Sequence, residues 1–87
     1  MTNIPMGWTI NDDRLAQKFK FKTFPDAISF MVRCSFEAEA ADHHPEWKNI
    51  YSTVWVELTT HDTGGITQKD YDLAKRFQEV YQRFNAN

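Results

Sequence analysis

The sequence predicts a two-layer α+β domain, a four-stranded antiparallel sheet with helices packed on one face, in the order β-β-α-β-β-α. Three observations carry this reading. Apolar and polar residues alternate in RLAQKFKF (residues 14–21) and VWVELTT (54–60), the period of a half-buried strand. Two longer segments repeat apolar residues at helical spacing. Breakers fall between these segments: glycines stand at 7, 64 and 65, and prolines at 5, 25 and 45.

Taken in order, a short strand is expected at Trp8–Ile10, followed by RLAQKFKF with Leu15, Phe19 and Phe21 on one side and Ala16, Lys18 and Lys20 on the other. Thr23 can cap a helix with Pro25 and Asp26 in its first turn, and Ala27, Met31, Cys34, Ala38 and Ala41 then recur to about Asp42. WKNIY and VWVELTT form two strands of a hairpin joined around Ser52 and Thr53, with Val54, Val56 and Leu58 facing inwards. After Gly64-Gly65, Thr67 with Asp70 resembles a capping box. It heads a helix whose stripe is Leu73, Ala74, Phe77, Val80, Tyr81 and Phe84. Carrying side-chain parity around the hairpin puts Trp47, Tyr51, Trp55 and, if the strand extends, His61 on the face away from the helices. Aromatics there call for a cover, either a ligand or a second subunit.

Composition narrows the function classes. At 87 residues the chain is expected to form one domain over residues 1–87, small enough that oligomerisation would help it. Ten basic and twelve acidic residues give a net charge of -2 with no basic cluster, which argues against direct nucleic-acid binding. No apolar run approaches the roughly 20 residues of a membrane span, and MTNIPMGW lacks the basic and apolar regions of a secretion signal. A cytoplasmic location and no membrane partner are the expectations. The single cysteine, Cys34, lies among apolar helical positions and is read as a packing residue.

The chemistry-bearing residues are the three histidines, each at the end of an element. Glu39 and His43 are four apart and share a helix face. A helix C-terminus welcomes an imidazolium, a purely structural use for His43 or His44. His61, in the loop THDTGG, has no such excuse, so the three together suggest one shared site. Adjacent histidines suit a zinc site poorly, because their side chains diverge, so no metal is expected. Acid/base work near neutral pH suits imidazole better. No nucleophile motif or phosphate-binding glycine loop is present in the sequence. Asp70 alone is best read as a cap, while Asp42 and Asp62 each neighbour a histidine and can orient it.

Glu39, three residues, His43-His44-Pro45, five residues, Tyr51, nine residues, His61, eight residues and Asp70 together resemble the signature of pterin-4a-carbinolamine dehydratases. DHHPEW, NIY and TTHDTGG strengthen the resemblance, which runs from about Trp8 to the end of the last helix. Trp55 stands where some relatives carry a further histidine. The resemblance implies dehydration of 4a-hydroxytetrahydropterin to quinonoid dihydropterin, the recycling step after aromatic amino acid hydroxylation, without a cofactor. It implies that His43 and His61 form the acid/base pair, with His44 beside the pterin and needed for turnover. Glu39, Asp42, Pro45, Thr60 and Asp62 match segments lining the family's pterin site, and Asp70 joins that set as support for His61. A homodimer or homotetramer is implied. The alternative is a protein-binding module, since some relatives promote transcription-factor dimerisation or enzyme assembly.

Overall fold

The computed structural model describes residues 4–84; the first three residues of MTNIPMGW lie outside them. Its elements are β1 (Thr9–Asn11), β2 (Arg14–Lys20), α1 (Phe24–Ala41), β3 (Glu46–Ile50), β4 (Thr53–Leu58) and α2 (Gln68–Phe84). The order matches the expectation, and the strands form one antiparallel sheet in the order β1-β2-β4-β3.

Both hairpin turns have two residues and rely on left-handed backbone. Asp12 and Asp13 adopt φ of 50° and 62°, the conformation that matches strand twist in a tight hairpin. The second turn is Tyr51-Ser52, with Tyr51 at φ 49°. Aspartate tolerates this region; a tyrosine there is strained. The Asn49 side chain braces the second turn by donating from Nδ2 to the carbonyl oxygens of Tyr51 and Thr53 at 3.0 and 2.9 Å.

The turn length decides which faces the aromatics occupy. Ile50 pairs with Thr53, so Trp47 lies opposite Val56 and shares its inward face. The expected outward Trp47 is therefore corrected: it is half-buried and stacks on Phe77 of α2, with centroids 6.1 Å apart. Tyr51 belongs to the turn, not to a strand face. Trp55 does point outwards, paired with Lys18 and Lys48, and the Lys48 ammonium lies 4.7 Å from its ring centroid. That cation–π contact partly covers the half-buried indole.

Leu15, Phe19, Val54, Val56 and Leu58 meet Ala27, Phe30, Cys34 and Ala38 of α1 and Leu73, Ala74, Phe77 and Val80 of α2 in one core. Trp8 closes its end, packing edge-on to Phe19 and donating from Nε1 to Gln78. Ala27, Cys34 and Ala38 are buried as predicted and Phe30 joins them, whereas Met31 is half-buried and Ala41 exposed. Phe24, Ile28, Val32 and Phe36 lie on the outside, 46, 37, 53 and 64% exposed. The helix N-terminus is as read: the Thr23 hydroxyl accepts from the Asp26 amide at 3.2 Å.

Burial holds the Cys34 thiol well above its ordinary value of 9.0, with the charge of Glu37 adding to the effect. The unfolded thiol ionises first as pH rises. Its stabilising contribution is therefore full below pH 9.0 and is lost as alkalinity increases beyond it. Native protein is expected to resist a thiol-specific reagent at about pH 8 and to react fully once denatured. Urea unfolding should show a steeper alkaline loss of stability for the parent than for Cys34→Ala. Rapid labelling of the native chain would contradict this.

Candidate active site

Asp42 ends α1 in the left-handed conformation, φ 49°. Its amide donates to the carbonyls of Ala38 and Glu39, and the His43 amide reaches back to Ala38 at 3.1 Å. This pattern of reversed bonds is that of a Schellman-type ending, which folds the chain over the helix end. The helical spacing breaks there, with a direct consequence for the histidines. His43 turns inwards, its side chain 11% exposed, while His44 stays outside at 61%. Glu39, expected to face His43, instead meets His44, Oε1 to Nε2 at 3.1 Å. Both groups are largely exposed, so the pair adds little to stability.

His43 bonds to a fully buried carboxylate. Its Nε2 lies 2.6 Å from Asp70 Oδ1, while Asp70 Oδ2 accepts from the Thr60 hydroxyl and from the Thr67 amide, each at 2.8 Å. A hydroxyl has one proton to give. With that of Thr60 spent on Asp70, the 2.8 Å contact between the two threonine hydroxyls must be donated by Thr67. Asp70 reaches back to the Thr67 amide as a capping acid does, but the Asp70 amide donates to the Thr67 carbonyl oxygen at 3.0 Å and not to its hydroxyl, so only one arm of the predicted capping box forms. The reading of Asp70 as support for His61 is corrected: it supports His43. With Asp70 0% exposed, its route to any bound molecule runs through that imidazole.

His61 sits on a small closed loop. Thr60 and Gly65 pair across it, and the carbonyl of Thr60 accepts from the amides of Thr63 and Gly64 at 3.1 Å. Gly64 at φ 73° supplies the turn. The ring of His61 is 71% exposed, with Nε2 3.6 Å from Glu46 Oε2, an ion-pair separation when the imidazole is charged. Glu46 also binds Arg14, which spans to Glu57 at 3.5 Å. The hydrogen bond that Arg14 donates to Glu46 raises its guanidinium above the ordinary value. Glu46 and Arg14 were not foreseen as neighbours of the site, although Glu46 belongs to DHHPEW. Pro45 is half-buried between the histidines and β3, Thr60 is half-buried, and Asp42 and Asp62 are exposed beside His43 and His61.

The histidine-bearing segments thus meet at two points, Asp70 for His43 with Thr60 of the His61 loop, and Glu46 for the strand after Pro45 with His61. Among the described residues no group of three or more His, Cys, Asp or Glu side chains is arranged to hold a metal ion, and no helix is long and apolar enough to cross a membrane. A groove of about 680 Å³ between Ile4–Met6 and α2 has no histidine in its lining; a smaller one of about 310 Å³ runs from Glu46 past Trp47 and Lys48 to Trp55 and Glu57. The second is the more relevant to the chemistry because Glu46 joins it to His61.

Comparison with known proteins agrees with this architecture. The sequence profile of the family described as pterin 4 alpha carbinolamine dehydratase matches residues 1–80. A relative from Opitutus terrae that carries a pterin-4-alpha-carbinolamine dehydratase name is 52% identical over 75 residues, 85% of this chain and 77% of the relative. Another so named, from Prochlorococcus marinus, is 49% identical over 69 residues, 79% of this chain and 72% of the relative. The crystal structure of a transcriptional coactivator/pterin dehydratase from Brucella melitensis superposes with a TM-score of 0.85 at 38% identity, covering 87% of this chain and 83% of that one. The chain belongs to the pterin 4 alpha carbinolamine dehydratase family, whose named reaction, a dehydration, is that of a hydro-lyase.

Proposed function

We propose that the chain dehydrates 4a-hydroxytetrahydropterin to quinonoid dihydropterin and water by histidine acid/base catalysis, in cytosolic recycling of the tetrahydropterin. The observation that carries this reading is the pairing of an inward imidazole, His43, bonded to a buried carboxylate, with the exposed His44 beside it and His61 on the adjoining loop.

The reaction breaks the C4a–O bond and forms a C4a=N5 double bond. A proton must reach the leaving hydroxyl, which departs as water, and the N5 proton must be taken up. One imidazole gives and another accepts, and each transfer is of the kind that contributes roughly 10²- to 10⁴-fold. His43 and His61 fill these two roles, with His44 against the ring. Glu39, Asp42, Pro45 and Asp62 are the proposed pterin-lining residues, and Thr60 and Asp70 serve the site from behind.

The outer stripe of α1 supports a homo-oligomer. Phe24, Ile28, Val32 and Phe36 follow one another every four residues along one side of the helix, and a two-fold axis would lay the same stripe on its copy. The description of the Brucella melitensis protein as a transcriptional coactivator favours a second reading, that of a protein-binding module. The stripe is a surface such a role would use, but we assign it to a second copy of this chain because its residues are all apolar and carry no charge.

Two measurements test these readings. On chemically generated 4a-hydroxytetrahydropterin, His43→Ala and His61→Ala should each lower kcat by about 10²-fold or more. The double variant should lose far less than the product of the single losses. Parental rates in both single variants would refute the acid/base assignment, and an inactive parent would favour the binding module. In light scattering after gel filtration, the parent should run as a dimer or tetramer and Val32→Glu/Phe36→Glu as a smaller species. An unchanged mass would remove the α1 stripe from the interface.

A further inference from the structure

We infer that Asp70 is the positioning residue that fixes the tautomer of His43, keeping the proton on Nε2 and leaving Nδ1 as the nitrogen that exchanges protons with a bound molecule. The kinetic part of this inference rests on the dehydratase reading above; the spectroscopic part does not.

The argument is a count of protons. Asp70 Oδ2 already receives two donors, the Thr60 hydroxyl and the Thr67 amide, and the direction of the amide is fixed by the backbone. Oδ1 receives only His43 Nε2, at 2.6 Å. A carboxylate accepts and does not donate, so Nε2 must carry the hydrogen. The neutral ring then has its lone pair on Nδ1. The geometry also explains why this acid is buried at all. An exposed residue at the same position of α2 could reach back to the Thr67 amide and cap the helix equally well, whereas sinking a carboxylate to 0% exposure costs free energy unless donors surround it. The imidazole is the donor that a cap alone does not require.

The same count forecasts what an amide would do. In Asp70→Asn the two donors at the Oδ2 position hold the side-chain oxygen there, because the amide nitrogen would meet them hydrogen to hydrogen. The NH2 group is therefore forced to the Oδ1 position, facing His43. It donates, so Nε2 must accept and the ring proton moves to Nδ1, the wrong side for accepting a proton from the substrate. Size and burial are almost unchanged; the direction of one hydrogen bond is reversed.

The test is a long-range ¹H–¹⁵N correlation spectrum of the histidine rings of the full chain, recorded where the His43 ring is neutral by its own titration, with its signals identified by their loss in His43→Ala. The parent is expected to show a pyrrole-type Nε2 and a pyridine-type Nδ1, and Asp70→Asn the reverse. With the carbinolamine as substrate, Asp70→Asn should lower kcat roughly 10²- to 10⁴-fold while KM moves by less than about threefold. A parent with its proton on Nδ1 would overturn the inference without any variant having to fold. So would an Asp70→Asn protein that keeps the Nε2–H tautomer and near-parental kcat. Should the parent dehydrate no carbinolamine, the reading of the reaction falls, and the parent spectrum alone decides the tautomer.

Discussion

A carboxylate with no exposed surface needs its charge met by donors at short range, and in this protein that need organises the region where the histidines lie. Asp70 takes the imidazole of His43 on one oxygen and the Thr60 hydroxyl and Thr67 amide on the other. These donors come from three separate places: the segment after α1, the end of the β4 strand path, and the entry to α2. Removing a donor from a buried acceptor typically costs about 1–3 kcal/mol, and more when the acceptor is charged, because the carboxylate cannot return to water. The carboxylate thus ties down three chain segments in a domain whose core is small.

Helix electrostatics favour the same arrangement. Asp70 lies in the first turn of α2, where the macrodipole stabilises negative charge, and His43 follows the C-terminal end of α1, where it stabilises positive charge. Proton uptake by His43 is compatible with both ends. His61 and His44 are in different surroundings, each beside an exposed or half-exposed glutamate and open to solvent. One imidazole is therefore held rigidly and two are accessible, a division that suits one group of fixed direction and others that meet an incoming ring.

The strand and helix order was legible because each period persists over enough residues: Val54, Val56 and Leu58 alternate as strands do, and Leu73, Ala74, Phe77 and Val80 repeat as a helix does. The Thr23 cap was legible for the same local reason. Errors arose where a count had to pass through a turn. A two-residue turn at either Tyr51-Ser52 or Ser52-Thr53 sets Trp47 opposite an inward residue, Val56 or Leu58, so its outward expectation was a miscount of parity across the turn; the register pairs it with Val56. Assuming that helical spacing continued past Asp42 matched Glu39 to His43 when the left-handed residue hands that contact to His44. The Asp70 partner could not be read from spacing at all, since its bond to His43 spans 27 positions and depends on how the two helices pack. The outward stripe of α1 is hidden in the sequence because its neighbours are apolar too: Phe30 fills the core where helical spacing from Ala27 points to Met31, and Phe24, Ile28, Val32 and Phe36 face outwards.

If Asp70 and His43 are the pair that holds these segments together, their contributions to stability are coupled. The direct measure is a double-mutant cycle by urea denaturation with Asp70→Ala, His43→Ala and the double variant, read as free energies of unfolding. An interaction energy of about 1 kcal/mol or more is expected, the second substitution costing much less once the first has been made. Additivity within about 0.3–0.5 kcal/mol would show that the two side chains act independently, and would contradict the account.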